Sequence, residues 1–245
     1  MRLDSNSRPS VTIVIPFYND PYIREALGSA LAQTYEPIEI LVVNDGSDRE
    51  TEHLQQFDGR ISVLNKRNGG TASALNAGFR GARGKYVAWL SSDDRFRPDK
   101  IEKQLRFMNE SGYSISHTAF WRMNGYGEVD KQPIALHDRS MLHFYRSLLV
   151  SNTVNGCTVM MTRALFDRMG GFNELLPFTH DYDLWMRIVL SGFPIGYLNE
   201  PLTEYRIHPG MGTLRHQKEI QQEIASIQEI YSQRMQHLLS ALQPN

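Results

Sequence analysis

The sequence predicts an α/β fold: a mostly parallel sheet flanked by helices, with a helical tail at the C-terminal end. Three observations predict it. Through the first hundred residues, nearly continuous apolar runs (Val11 to Ile15, Ile38 to Val43, Ile61 to Leu64, Tyr86 to Leu90) alternate with helical segments. Strands that are apolar throughout, rather than at every second residue, are buried on both faces, as in a parallel sheet covered by helices. The polar turns after the first, second and fourth runs would then line one edge, beyond the carboxyl ends of the strands, where such sheets bind ligands.

Each element carries its own signal. Asn19-Asp20-Pro21 is a helix cap with proline in the first turn, and the helix runs towards Gln33. Asn44-Asp45-Gly46-Ser47-Asp48 turns the second strand into a second helix, and Asn68-Gly69-Gly70 leads into a small-residue helix, Thr71 to Arg80. The fourth strand runs into Ser91-Ser92-Asp93-Asp94, and Pro98 opens the next helix. The second half is less regular. Arg139 to Val150 and Asp181 to Ser191 read as amphipathic helices, with short strands at Cys157 to Met161, Ile195 to Asn199 and Leu202 to Ile207. From Leu214 onward a long helix carries Ile220, Ile224, Ile227, Tyr231 and Leu238 at spacings of three, four or seven. That stripe suits packing on the domain, pairing in a homodimer, or peripheral contact with a membrane surface, and Arg234 interrupts the seam.

Bulk properties exclude several classes. The 245 residues are 41% hydrophobic and 22% charged with a net charge of -1, so no general attraction draws the chain to nucleic acid, and an anionic ligand needs a local site. Cys157 is the single cysteine, which excludes an internal disulfide and suits a small buried residue in a reducing compartment. No run reaches the ~18 apolar residues of a membrane span, and MRLDSNSRPS has no signal-peptide core. The expected location is the cytoplasm, with association at the inner face of the membrane left open.

The candidate chemistry lies on the polar turns. Adjacent carboxylates repel, so Asp93 and Asp94 suit a cation such as Mg²⁺ or Mn²⁺, whose usual nucleotide-site ligands are carboxylates, diphosphate oxygens and water; the plainer alternative is a solvated helix cap. Asp45 can accept a hydrogen bond from a base N–H or a ribose hydroxyl, or simply make an Asp-Gly turn. Phe17 and Tyr18, after Pro16, offer stacking surfaces for a nucleobase or are exposed loop aromatics. Arg67 and Asn68 open a turn where a cation and backbone amides would face a ligand. Asp181 starts a helix whose dipole favours its charged form, which suits a general base or an N-cap. Trp185, one turn on, is either core or a platform for a sugar ring, and His208 follows a strand as a structural, metal-binding or phosphate-binding histidine.

The order of these blocks is more telling than any one of them. VTIVIPFYND, EILVVNDGSD, NGGTASALNAG, GKYVAWLSSDD, GGFNELL, HDYDLWMRI and YRIHPG, from about Val11 to Gly210, resemble the family-2 glycosyltransferases of GT-A type. The resemblance implies a Rossmann-like GT-A domain over 1–212, with a nucleotide-binding half at about 10–100, an acceptor-binding half at about 101–212 and a helical extension at 213–245. It implies an inverting transfer from a nucleotide-diphosphate sugar to a saccharide, lipid-linked saccharide or protein acceptor, assisted by Mn²⁺ or Mg²⁺. Pro16, Phe17, Tyr18, Asp45, Arg67, Asn68, Ser92 and Asp93 would contact the nucleotide, Asp93 and His208 the metal, and His180 and Trp185 the acceptor. Asp181 matches the catalytic base. Asp45 fits an imide N–H, favouring UDP- or dTDP-sugars, and the region Tyr113 to Asn155 would select the acceptor. Two positions depart from the pattern. Ser91 stands where the acidic motif usually begins with aspartate, a position that commonly touches the ribose, and His180 stands where glutamate often precedes the base. Ser91 leaves a catalytically inactive nucleotide-sugar-binding homologue as the alternative. A nucleotidyltransferase would carry glycine and a cation in the loop Pro16-Phe17-Tyr18-Asn19-Asp20, which has neither.

Overall fold

The computed structural model describes residues 10–136 and 140–242. Eight strands form one sheet: β1 (Val11–Phe17), β2 (Ile38–Asn44), β3 (Ser62–Asn65), β4 (Tyr86–Trp89), β5 (Arg95–Phe96), β6 (Ile115–Asn124), β7 (Met160–Thr162) and β8 (Gly196–Ile207). Their order is β3-β2-β1-β4-β7-β6-β8-β5. β7 runs antiparallel to its neighbours β4 and β6, and β5 antiparallel to β8; every other pairing is parallel. The carboxyl ends of β1, β2, β4, β6 and β8 therefore share one edge.

The helices are α1 (Ile23–Leu31), α2 (Glu52–Gln55), α3 (Gly70–Gly81), α4 (Lys100–Ser111), α5 (Met141–Val150), α6 (Arg163–Met169), α7 (His180–Leu190), α8 (Gly212–Arg215) and α9 (Gln217–Ala241). They cover both faces, and the pleat of each strand divides its apolar residues between two cores. Val11, Ile13, Ile15 and Phe17 join Ile40 and Val42 beneath α1 and α4, whereas Val14, Val43, Val87 and Trp89 meet α3, α5, α6, α7 and α9. α3 lies close to the sheet because its residues are small. A Cβ on Gly78 would stand 2.3 Å from Val14 Cγ1 and 2.9 Å from Val43 Cγ2, closer than carbon atoms pack.

Two expectations need correction. The strand expected at Cys157 to Met161 is a 3-10 turn, Gly156–Thr158, followed by β7; the Asn155 side chain caps the turn by accepting from Cys157 N. The two strands expected at Ile195 to Asn199 and Leu202 to Ile207 are one strand, β8, which absorbs Pro201 at a register shift against β6. β6 itself lies inside the region assigned to acceptor selection, and its first five residues are buried in the sheet. Arg139, the expected start of a helix, lies outside the described residues; α5 begins after Ser140, whose side chain accepts from His143 N.

α9 packs on the body of the protein. Ile227, Tyr231, Met235 and Leu239 are its buried residues, and they join the core that holds α5 and α7. The buried row is spaced by four, a ridge along the helix, so the seam passes through Met235 and leaves Arg234 exposed. Among the described residues no helix is long and apolar enough to cross a membrane.

Candidate active site

The turn after β4 sends its two carboxylates in opposite directions. Asp94 points inward and is fully buried; its Oδ1 accepts from Arg206 N at 2.8 Å, and burial together with the charge of Asp93 pushes its carboxyl well above the ordinary carboxylate range. Asp93 points outward, with Oδ2 3.1 Å from His208 Nε2 on the segment after β8. That contact holds the imidazole above its usual value, since the carboxylate favours the charged ring. Asp20, on the turn after β1, completes the group. Its Oδ2 accepts from Ser92 Oγ at 2.7 Å and its Oδ1 from Tyr22 N at 2.8 Å, and burial and Asp93 raise its carboxyl. The sequence marks Asp20 as a helix cap; the structure puts it on the turn after β1, at the same edge as Asp45 and Asp93.

Arg206 fixes this arrangement from below. It is completely buried, an unusual place for arginine, and each of its three nitrogens has a hydrogen-bond partner. Nε donates to Asp93 O at 2.7 Å, Nη2 to Glu25 Oε2 at 2.6 Å, and Nη1 to Asn124 O and Gly125 O, each at 3.4 Å. The guanidinium lies 4.2 Å from the centre of the Tyr22 ring, which in turn meets His208 edge-on at 5.1 Å. One side chain thus ties β8 to the acidic turn, the end of β6 and α1.

On the donor side of the edge, Asp45 is only 3% exposed and already engaged. It accepts from Lys66 Nζ at 2.6 Å, from Gly69 N at 3.1 Å and from Gly70 N at 2.8 Å, so it caps the start of α3. Gly69 N also reaches Asp45 Oδ2 at 3.1 Å, so four hydrogen bonds occupy its roughly four lone-pair sites. Tyr18 is 55% exposed beside it, as a stacking surface must be. Phe17 is a correction: its ring shares the parity of Val11, Ile13 and Ile15, is 1% exposed and packs in the core, where no base can reach it. Pro16 is partly buried, Arg67 and Asn68 are exposed on the loop before α3, and Ser92 is committed to Asp20.

Asp181 is the second residue of α7. Asn152 Nδ2 donates to its Oδ2 at 3.0 Å and Tyr182 N to its Oδ1 at 2.7 Å, while burial raises its carboxyl. Two short paths link it to the acidic turn. His180, just before it, packs against Trp89 at 5.7 Å, and Trp89 ends β4. Asn152 lies on the chain that leads to Cys157, whose buried thiol meets Ser91 Oγ at 2.9 Å. Gly156 makes room for Trp89, because a Cβ there would stand 2.0 Å from Cζ3 of the indole.

The two acceptor assignments are corrected. Trp185 is fully buried, with Nε1 unpartnered, in the core of α7, so it offers no face to a sugar. His180 is 4% exposed, wedged between Trp89 and Phe172, with neither ring nitrogen in a hydrogen bond of good geometry; burial favours its neutral form. It shapes the wall beneath Asp181 and does not touch the open edge.

Asp93 and His208 fit a divalent cation. They present a carboxylate oxygen and an imidazole nitrogen side by side, next to two carboxyls raised partly by the charge of Asp93, an excess of negative charge that a cation relieves. Among the described residues the one group of three closely spaced His, Cys, Asp or Glu ligand atoms is Glu50, Glu52 and His53 at the start of α2. At the acidic turn the protein would supply two ligands, leaving the remaining positions to phosphate oxygens and water.

Comparison with known proteins identifies the family and the fold. The model of Glycosyl transferase family 2 matches residues 12–169, a span that holds Asp45 and Asp93 and stops before Asp181 and His208. The uncharacterized glycosyltransferase RP339 of Rickettsia prowazekii (strain Madrid E) is 39% identical over 215 residues, covering 84% of this chain and 66% of its own length. TuaG of Bacillus subtilis (strain 168), a putative teichuronic acid biosynthesis glycosyltransferase, is 35% identical over 211 residues, covering 83% of this chain and 81% of TuaG. Among solved structures, S. aureus TarS 1-349 in complex with UDP-GlcNAc matches with a TM-score of 0.71 at 20% identity, over 89% of this chain and 66% of that one. The mannosyltransferase PcManGT from Pyrobaculum calidifontis, in complex with GDP-Man and Mn2+, matches with a TM-score of 0.63 at 20% identity, over 84% of this chain and 59% of that one. With its family model matched over most of its length and its sheet shared with these enzymes, the chain belongs to glycosyltransferase family 2 and has the GT-A fold.

Proposed function

We propose that this chain moves a sugar from a nucleotide-diphosphate sugar, UDP- or dTDP-linked by preference, to an acceptor hydroxyl with inversion, in the synthesis of a cell-surface polysaccharide or glycoconjugate. The observation that carries this reading is the meeting of Asp93 and His208, 115 positions apart and from separate motifs, at 3.1 Å on the ligand-binding edge of the sheet. The UDP-GlcNAc held by TarS and the described role of TuaG favour such a donor and product.

Tyr18 would stack on the base, and Asp45 would accept its imide N–H in exchange for one of its present donors. Arg67 would approach the diphosphate from the exposed loop. Asp93 and His208 would hold Mn²⁺ or Mg²⁺, which when bound supplies Lewis-acid stabilisation of the departing diphosphate. Asp181 takes the proton of the acceptor hydroxyl as that oxygen attacks the anomeric carbon from the face opposite the leaving group. Burial of Asp181 strengthens it as a base, and Asn152 and the Tyr182 amide, one on each oxygen, hold its carboxylate in place.

The test pairs two variants. Asp181→Asn should abolish turnover across a panel of nucleotide sugars while UDP binding by calorimetry, with Mn²⁺, stays as in the wild type. Asp93→Asn should remove the Mn²⁺ dependence of UDP binding. Equal loss of turnover and binding in Asp181→Asn would make Asp181 a donor ligand or a structural residue. Wild-type UDP affinity indifferent to Mn²⁺ would remove the metal assignment.

A further inference from the structure

The C-terminal helix grips the chain two positions from Asp181, the proposed base, and two positions from Asn152, its hydrogen-bond partner. Glu223, in the second turn of α9, accepts three hydrogen bonds on one oxygen: from Phe178 N at 3.2 Å, Thr179 N at 2.9 Å and Thr179 Oγ1 at 2.7 Å. Thr179 is the N-cap position of α7 and makes no side-chain cap bond to its own helix, because its hydroxyl is turned to Glu223. Asp181 follows two residues later. Five residues further along α9, Gln228 Nε2 donates to Val150 O at 2.8 Å, and Asn152, the partner of Asp181, stands two residues beyond Val150.

A third grip lies deeper. Tyr231 OH donates to Asp183 Oδ1 at 2.8 Å; the other oxygen of Asp183 takes Arg187, which also donates to Met169 O and Gly171 O. Glu223, Ile227, Tyr231, Met235 and Leu239 are spaced by four, so polar grips and apolar packing lie on one ridge of the helix. A negative charge beside the start of α7 is also favourable to the helix dipole, and the amides that receive it need no cation partner. α9 lies beyond the residues matched by the family model, which end at 169.

We propose that Glu223 is a positioning residue for transfer: α9 acts as a clamp that sets the turn from Phe178 to Asp181, and so the aim of the Asp181 carboxylate, rather than only burying apolar surface. This rests on the reading of Asp181 as the base. A carboxylate displaced by about 1 Å can lose on the order of 100-fold in rate without any loss of donor binding. The clamp should therefore be visible in turnover and in the exchange of the held amides, with donor affinity untouched.

The experiment compares Glu223→Ala, Glu223→Gln and Asp181→Asn in the full chain. Amide hydrogen exchange is followed over residues 176–184, turnover with a panel of UDP-, dTDP- and GDP-sugars, and UDP affinity with Mn²⁺. Glu223→Ala should speed exchange at Phe178 and Thr179, lower kcat by roughly 10- to 100-fold with UDP affinity unchanged, and Glu223→Gln, which keeps an acceptor, should restore most of both. Unchanged exchange at those two amides would overturn the clamp, whatever turnover does. A lower Tm with kcat of the folded protein intact would make Glu223 merely structural. If Asp181→Asn keeps turnover, the base assignment fails by itself; if it loses turnover while Glu223→Ala does not, the positioning role fails and the base stands.

Discussion

Replacing Lys100 by methionine tests how the fold carries a buried ammonium behind its acidic turn. Lys100 is fully buried at the start of α4; Nζ donates to Gln104 Oε1 at 2.6 Å and lies 4.3 Å from the centre of the Phe96 ring. Burial lowers it from 10.5 to about 7. Unfolded, the lysine keeps its proton up to 10.5; folded, only up to about 7. Between those values the unfolded chain binds more protons, so the lysine makes stability rise with pH across that window, and its penalty is fully present below it. The whole gap corresponds to at most about 5 kcal/mol, of which about 2 kcal/mol should appear between pH 7 and 9. Methionine has similar length and carries no charge, but leaves Gln104 Oε1 unpaired at a cost of about 1–3 kcal/mol. Lys100→Met should therefore be more stable than the wild type at pH 7, by about 2 kcal/mol, with the advantage gone by pH 9. Urea unfolding of both proteins at the two pH values is the assay. A variant that is less stable at pH 7, or that keeps the wild-type rise with pH, would refute the reasoning.

Three further outcomes are expected. Gly156→Ala forces the Trp89 indole aside and should cost about 1–3 kcal/mol in urea unfolding with reduced turnover; an unchanged midpoint would mean that Trp89 shifts freely. Arg206→Met leaves the carbonyl oxygens of Asp93, Asn124 and Gly125 without their buried donor and should cost about 1–3 kcal/mol by thermal unfolding, with weakened Mn²⁺-dependent UDP binding in the protein that still folds. Because Asp181 must be ionised to act and burial raises it, the acid limb of the kcat profile should fall above the 3.8 of an ordinary aspartate; a limb at or below that value would point to a different base.

The sheet was legible because β1, β2 and β4 are apolar at almost every position, a pattern that only burial on both faces rewards. β6 escaped for the opposite reason. Ser116, His117 and Thr118 make it read as polar, yet all three are buried, and the Ser116 hydroxyl and carbonyl both accept from Gln104. Pro201 made β8 look like two strands because the bulge that admits it belongs to the pairing with β6, not to the local sequence. At the candidate site, motifs single out Asp93, Asp181 and His208, and the structure brings the first and last of these into contact. Asp20, Asn152 and Arg206 are not singled out in this way, since each acts through a partner 29 to 113 residues away. Phe17 and Trp185 were misread although local rules sufficed. The alternation of β1 puts Phe17 with Ile15, and the buried residues on nearly every side of α7 mark it as a helix without a free face at Trp185.

The contact between Ser91 and Cys157 bears on how this cleft can diversify. A hydroxyl and a thiol fill the space in front of Trp89 without net charge, and burial keeps the thiol protonated. Negative charge at the cleft floor is thereby confined to the side facing His208, where Asp20 and Asp93 stand. Restoring an aspartate at position 91 would put a third acid beside Asp93 and Asp94, against a sulfur poorly suited to solvate it. The contact couples the two positions in this chain: a carboxylate introduced at 91 would need a stronger donor than a thiol at 157 to balance its charge.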